Sequence, residues 1–200
     1  MKNKIVVYDF DKTLTKRDTL LGFFLYAAAK DISFYFRGLV YINYMFFSKF
    51  GMMSNARLKS NGIKLFLSHL DKQELAEKLQ TYHLQIAFNH VFESIVYDKN
   101  TTYYIITASF QEYVSPIFPS FVRVIGSTIK YTNGRASDLA YNCYKENKRK
   151  MMDGNYIDTL YTDSYSDFAL AELAKEIRIV NKNKVIVCQG IDDFIKYFGE

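Results

Sequence analysis

Two cysteines, two prolines and three histidines are all that the 200 residues contain of those types. Cys143 and Cys188 stand far apart without metal-ligand spacing, which fits a reduced, cytoplasmic protein. His69, His83 and His90 fall in helical sequence with no ligand pattern around them, so no metal role is expected of them. No apolar run reaches the roughly 20 residues that a membrane-spanning helix needs. A signal-peptide pattern is missing, as are internal repeats and low-complexity linkers. Net charge is +5, yet apart from Lys145, Lys148, Arg149 and Lys150 the basic residues are scattered. That is too thin for a nucleic-acid footprint, so no nucleic-acid partner is expected. The charge suits smaller anionic partners such as phosphates, or anionic lipid.

What the chain has in plenty is aromatic side chains, 17 Tyr and 17 Phe. Lys, Asn and Ile are also abundant, and all five types have A/T-rich codons, so part of this excess reflects composition rather than function. The length allows one well-filled domain, or a domain with a sizeable insertion.

The most informative stretch lies near the start. Lys4-Ile5-Val6-Val7-Tyr8 is an apolar, β-branched run that reads as a buried strand, and Asp9-Phe10-Asp11-Lys12-Thr13-Leu14-Thr15 follows it. Carboxylates two residues apart point the same way along an extended chain. Such a pair is costly unless a proton or a cation is shared between them.

Residues 16 to about 90 read as all-helical. Thr19 to Ala29 forms an apolar helix with Asp18 as its N-cap, and Lys30-Asp31 interrupts it. Ile32 to Phe47 is strongly aromatic, and reads as a buried helical hairpin with the preceding helix or as a membrane-facing patch. Gly51 to Asn55 is a break, and Ala56 to Leu70 and Asp71 to about Asp98 read as further helices. After that, strands alternate with helices. Thr102 to Thr107 is a strand running into Ala108-Ser109, with a helix from Phe110 towards Ile117 shortened by Pro116 and Pro119. Phe121 to Ile125 is a strand, and Ser127 to Tyr131 pairs with Ala136 to Tyr141 as a hairpin turning at Asn133-Gly134. A short basic helix falls near Glu146 to Met152, Tyr156 to Tyr161 is a strand, and Asp163 to Lys175 a turn and helix. Ile177 to Val180, Val185 to Val187 and a helix at Asp192 to Phe198 complete the chain. The alternation predicts an α/β, Rossmann-like doubly wound parallel sheet.

Ligands of such sheets sit beyond the carboxyl ends of the strands. The polar residues expected there are Asp9 and Asp11, Thr107 and Ser109, Lys148, and the run Thr162-Asp163-Ser164-Tyr165-Ser166-Asp167. Together they suit phosphoryl transfer. One carboxylate can attack phosphorus, and a second, protonatable one can serve the leaving group and then water. Asp9 and Asp163 can share a Mg²⁺ with the phosphate. Thr107 and the amides at the following helix start can hold phosphoryl oxygens, and Lys148 can neutralise their charge.

These four segments resemble the four motifs of the haloacid dehalogenase-like hydrolase superfamily over nearly the whole chain. The helical insertion, Arg17-Asp18-Thr19, and the hairpin leading to Lys148 resemble the phosphoserine-phosphatase-like branch, with an all-helical cap. The resemblance implies a core of residues 1–15 and 95–200 and a cap of residues 16–94. It implies Asp9 as nucleophile, Asp11 as general acid/base, Thr107 and Lys148 as phosphoryl binders, and Asp18 and Ser109 near the substrate. It also implies Mg²⁺ at Asp9, the Asp11 carbonyl and Asp163, with Asp167 in support. Lys12 and Thr162 depart from the family, which often has Gly at both positions.

The implied activity is a Mg²⁺-dependent phosphomonoester phosphatase acting through an aspartyl-phosphate on a small or lipid-like phosphorylated metabolite. Phosphoserine is the alternative substrate. Asp18 occupies the acidic position that meets the substrate ammonium, but Ile63 stands near the position of the carboxylate-binding Arg, with Arg57, Lys59 and Lys64 as stand-ins. The aromatic insertion favours a less polar leaving group and peripheral membrane contact, in a cytoplasmic or membrane-associated protein. A receiver domain of signalling systems fits poorly, because the gap from Asp11 to Thr107 is long and the Asp163/Asp167 pair has no place in it. A catalytically silent binding module with the same fold is the other reading.

Overall fold

The computed structural model describes residues 3–28 and 32–199, so the expected break at Lys30-Asp31 and the end of the first helix at Ala29 lie outside it. Seven strands form one sheet in the order β4-β3-β2-β1-β5-β6-β7. They are β1 (Lys4–Tyr8), β2 (Thr101–Phe110), β3 (Val122–Thr132), β4 (Arg135–Tyr141), β5 (Ile157–Thr162), β6 (Ala174–Asn181) and β7 (Lys184–Cys188). The five central strands are parallel, and β4 and β7 pair antiparallel at the two edges. This is the expected α/β sheet, made mixed by its edges.

Alternation along β1 shows why it lies at the centre. Val6 and Tyr8 join the apolar core on one face of the sheet, while Val7 joins the core on the other. Tyr8 also stacks on Tyr161 of β5, with ring centroids 4.5 Å apart.

Among the described residues, four helices and several tighter turns fill the stretch between β1 and β2. They are α1 (Leu20–Ala27), α2 (Ile32–Lys49), α3 (Asn55–Gly62) and α4 (Lys72–Thr81). The Ser54 side chain caps α3, and Asp71 and Glu74 form a reciprocal capping box on α4. Ile63–Leu67 continues α3 as a π-helical turn. Gly62 is required at that junction, because a Cβ there would lie 2.4 Å from the Phe24 ring. Phe23, Phe24, Phe66 and Tyr82 pack against Phe110 and Tyr113 in one continuous core with the sheet.

The sequence reading is too helical in places. After α4 the chain forms only 3₁₀ turns at Tyr82–Gln85 and His90–Ser94, and residues 14–16 pair with 87–89 through a bridge at Thr15 and Phe88. Interrupted apolar spacing between residues 82 and 94 cannot distinguish a 3₁₀ turn from a helix end. The helix after β2 is a single turn, α5 (Gln111–Val114), followed by a 3₁₀ turn over Ser115–Ile117 that contains Pro116. The two strands expected on either side of Gly126 are one strand, β3, and the expected hairpin joins it to β4 through Asn133 and Gly134, both at positive φ. The basic helix α6 spans Glu146–Lys150. Asp163 to Lys175 gives a 3₁₀ turn (Tyr165–Asp167) and a short α7 (Phe168–Ala171) rather than a full helix, because β6 already starts at Ala174. The final helix, α8, spans Ile191–Gly199. Among the described residues no helix is long and apolar enough to cross a membrane.

Candidate active site

Register brings the candidate residues to one rim. Tyr8 pairs with Ile105 of β2 and with Tyr161 of β5. Asp9 follows Tyr8 directly, while Thr107 and Asp163 lie two residues beyond their paired partners. Three strands of different sequence origin therefore deliver their polar ends to one layer.

Asp9 and Asp11 have opposite surroundings. Asp9 is buried, and its Oδ1 accepts a hydrogen bond of 2.7 Å from the Lys148 ammonium. Among the described residues no group donates to Oδ2. Lys148 is itself buried on α6 and also donates to Asp167 Oδ1 at 2.6 Å. Asp167 Oδ2 accepts from Thr162 Oγ1 at 2.7 Å. One ammonium thus lies between two carboxylates, and one negative charge is in excess. Burial pushes the Asp9 pKa well up, Lys148 offsets part of the rise, and Asp167 and Asp163 add to it. Burial opposes the Lys148 charge, but Asp167 and Asp9 outweigh it and hold its pKa above the ordinary lysine value.

Asp11 meets only neutral donors. Its Oδ1 accepts from the Thr19 amide at 2.7 Å and the Thr19 hydroxyl at 2.6 Å, and its Oδ2 accepts from Ser109 Oγ at 2.5 Å. The Thr19 hydroxyl in turn lies 2.9 Å from Tyr113 OH, and Tyr82 OH donates to the Thr19 carbonyl at 2.7 Å. Desolvation raises the Asp11 pKa, the nearby Asp18 raises it further, and the Ser109 and Thr19 bonds oppose them. A carboxyl held up in this way is suited to carrying a proton.

The residues after the strands have particular local reasons for their positions. Lys12 takes a positive φ of 58°, which explains why Gly is common there, and its amide donates to Thr15 Oγ1 at 3.1 Å. Its side chain, with Asp18 and Asp163, lines a cleft of about 710 Å³ bordered also by Lys16, Arg17 and Lys182. Asp163 is raised to about 6 by burial, with Lys12 opposing the rise. Thr162, the other departure from Gly, holds Asp167 through its hydroxyl. Thr107 is buried, and its Oγ1 accepts from the Ser109 amide at 3.0 Å. That amide is therefore taken, and β2 stays extended to Phe110, so the helix expected from Phe110 starts at Gln111. Ser109 acts on Asp11. Asp18 is exposed and its Oδ1 accepts from the Leu20 amide at 3.0 Å, but the N-cap position of α1 is Thr19, one residue later than expected.

Of the three cations considered for a substrate carboxylate, two are engaged elsewhere. Lys59 is buried, and its ammonium donates to the Ala108 carbonyl, Ser127 Oγ and Asn142 Oδ1. Lys64 pairs with Asp138 at 3.0 Å, and Arg57 is exposed on α3. Sequence reasoning misses Tyr82 and Tyr113, for which no spacing signal exists. It also undervalues Thr19, whose signal is its position just after Arg17-Asp18.

No three His, Cys, Asp or Glu side chains among the described residues enclose a metal site. Mg²⁺ requires less, since it keeps waters and takes one or two carboxylates together with substrate phosphate. Asp9, with Oδ2 accepting no hydrogen bond from a described residue, and Asp163, close enough to raise its pKa, are a donor set that fits. The Asp11 carbonyl would complete it, and Asp167 would orient the set through Lys148.

An α/β sheet with acidic, hydroxyl and lysine residues converging at the carboxyl ends of its parallel strands suits a hydrolase of the phosphoryl-transfer type. Residues 6–172 match the family model for haloacid dehalogenase-like hydrolases, and the chain belongs to that family. Similar solved structures include a protein of unknown function from Bordetella pertussis Tohama I (17% identity, TM-score 0.62, covering 86% of this chain and 87% of that one). A phosphoserine phosphohydrolase-like protein from Francisella tularensis has 16% identity, a TM-score of 0.61 and coverages of 97% and 99%. Cytosolic 5'-nucleotidase IIIB bound to cytidine has 14% identity, a TM-score of 0.61 and coverages of 92% and 71%. At these identities the likeness is one of fold. No curated protein matches the chain.

Proposed function

We propose that the protein is a Mg²⁺-dependent phosphomonoester phosphatase that forms an aspartyl-phosphate on Asp9. The observation that carries this reading is the unequal treatment of two neighbouring carboxylates, Asp9 against the Lys148 ammonium and Asp11 among neutral donors. An oxygen of the Asp9 carboxylate attacks phosphorus, the bond to the leaving oxygen breaks, and that oxygen takes the proton from Asp11. Asp11, now a carboxylate stabilised by Thr19 and Ser109, accepts a proton from water as the water attacks phosphorus. The Asp9–phosphorus bond then breaks and returns its electron pair to the carboxylate. Lys148 opposes the rise in the Asp9 pKa and meets charge on the phosphoryl oxygens, and Thr107 lies beside them. Bound Mg²⁺ would screen the carboxylate from the phosphate and polarise the phosphoryl oxygen.

The helices of residues 16–94 are the proposed cap, and they choose the substrate. The engagement of Lys59 and Lys64 supports a leaving group without the amino-acid carboxylate of phosphoserine, and the aromatic insertion supports an apolar or lipid-like one. The test is hydrolysis of an aryl phosphate and of a panel containing phosphoserine, nucleotides, sugar phosphates and short-chain phosphatidate, with and without Mg²⁺. Asp9→Asn should abolish turnover on every substrate, because an amide is a poor nucleophile. A retained rate would place the chemistry elsewhere, and strong selectivity for phosphoserine would overturn the substrate reading.

A further inference from the structure

Helix α2 has its apolar stripe on the outside. Tyr35, Leu39, Ile42, Phe46 and, just past its end, Phe50 recur at three- and four-residue intervals, and each is exposed, from 56% for Phe46 to 71% for Tyr35. Phe36, Val40 and Phe47 widen this surface, and the buried Tyr41 marks the opposite, inward side. A helix on a water-facing surface shows the reverse arrangement, and exposed patches of this width mark interaction sites.

Charge indicates what covers it. From residue 32 to residue 70 the chain carries Arg37, Lys49, Arg57, Lys59 and Lys64 and no acidic residue. Lys59 is internal and Lys64 pairs with Asp138, whereas Lys49 and Arg57 are exposed near the end of the apolar stripe. A second copy of this chain would bring the same one-signed surface against itself, which opposes pairing. An anionic bilayer offers both complements, an apolar layer for the stripe and negative headgroups for the cations. Helix α2 is about 27 Å long at 1.5 Å per residue, and it is not apolar enough throughout to span a membrane.

We propose that α2 is a peripheral membrane-docking element that lies in the interface of an anionic bilayer with the Tyr35–Phe50 stripe immersed. This rests on the surface alone and does not depend on the catalytic reading. The test is flotation of the full chain with vesicles of phosphatidylcholine alone or with about one-third phosphatidylserine, together with sedimentation velocity without lipid. Binding to the anionic vesicles should exceed binding to neutral ones by about tenfold and weaken with salt. The double variant Leu39→Glu/Phe46→Glu should lose about tenfold or more of that binding, while its circular dichroism, melting and Mg²⁺-dependent turnover of a soluble aryl phosphate stay as in the wild type. Failure to float, unchanged flotation of the variant, or a dimer that the variant dissolves would each overturn the proposal. Loss of turnover in Asp9→Asn with flotation intact would leave the two readings separately judged.

Discussion

The Lys148 ammonium lies 2.7 Å from Asp9, and that one contact joins the acidic pair after β1 to a short helix 139 positions further along the chain. Both groups are buried, and Asp167 completes the set from the other side at 2.6 Å. Lys148→Met would leave two buried carboxylates without their cation. It should lower stability by about 3–5 kcal/mol, the usual consequence of removing one partner of a buried pair, measured by urea unfolding. Turnover should fall to background, and Lys148→Arg, which keeps the charge but not the shape, should recover more stability than activity.

Asp11 supports a pH prediction. Ser109 Oγ donates to its carboxylate, and this bond opposes the rise in its pKa. Ser109→Ala removes that support, so the pKa should rise further. A hydrogen bond to a charged group is worth about 1.5 kcal/mol or more, and about 1.4 kcal/mol corresponds to one pH unit. Where hydrolysis of the aspartyl-phosphate limits turnover, Asp11 must be deprotonated, so the acid limb of the pH–kcat profile should move upward by about one unit. A limb that stays in place would show that another group titrates.

Lys59 makes stability depend on pH in the other direction. Burial pulls its pKa down to about 7, with Cys143, Asp11 and Asp18 opposing and Lys148 reinforcing the effect. The unfolded chain binds the proton up to the ordinary lysine value of about 10.4. Between these values the unfolded state holds more protons, so stability should rise with pH. Lys59→Met should remove that slope between about pH 7 and 10. Denaturant unfolding across the range, compared with the wild type, reads the difference.

Gly126 tests how the end of β2 is held. A Cβ there would lie 2.7 Å from the Ser109 carbonyl and 2.9 Å from the Gln111 amide. Gly126→Ala should cost about 1–3 kcal/mol through the forced backbone shift, seen as a lower melting temperature. It should also lower kcat, because the displaced atoms belong to the residue that bonds Asp11.

The sheet and the catalytic rim are legible in the sequence because they rest on local patterns. A central strand such as Lys4–Tyr8 packs on both faces, so it shows a continuous apolar run rather than an apolar/polar alternation, and that run ends abruptly in acid. The hairpin is legible for the same kind of reason, since Asn133-Gly134 supplies both positive φ values. What escapes is set by contacts that leave no periodic spacing, whether near in sequence or far. Thr19 gains its importance from Asp11 and Tyr113, and Thr162 from Asp167, and neither pairing leaves a spacing to read. Lys59 looks like a surface cation on a polar helix, and only the fold shows that it is internal. The stripe of α2 reads as either buried or membrane-facing, because periodicity reveals that a helix has an apolar side without telling which way it points, and the fold shows it exposed.

Lys59 also bears on how the molecule can move. Its three acceptors lie on β2, β3 and the turn after β4, and one of them is the carbonyl between Thr107 and Ser109. Helix α3 is thereby riveted to the sheet, and the segment of residues 16–94 cannot swing open as one rigid lid without breaking all three bonds. An opening of the inserted helices that kept these bonds would have to pivot around this anchor. A strain on the inserted helices is then transmitted straight to the strand that carries Thr107.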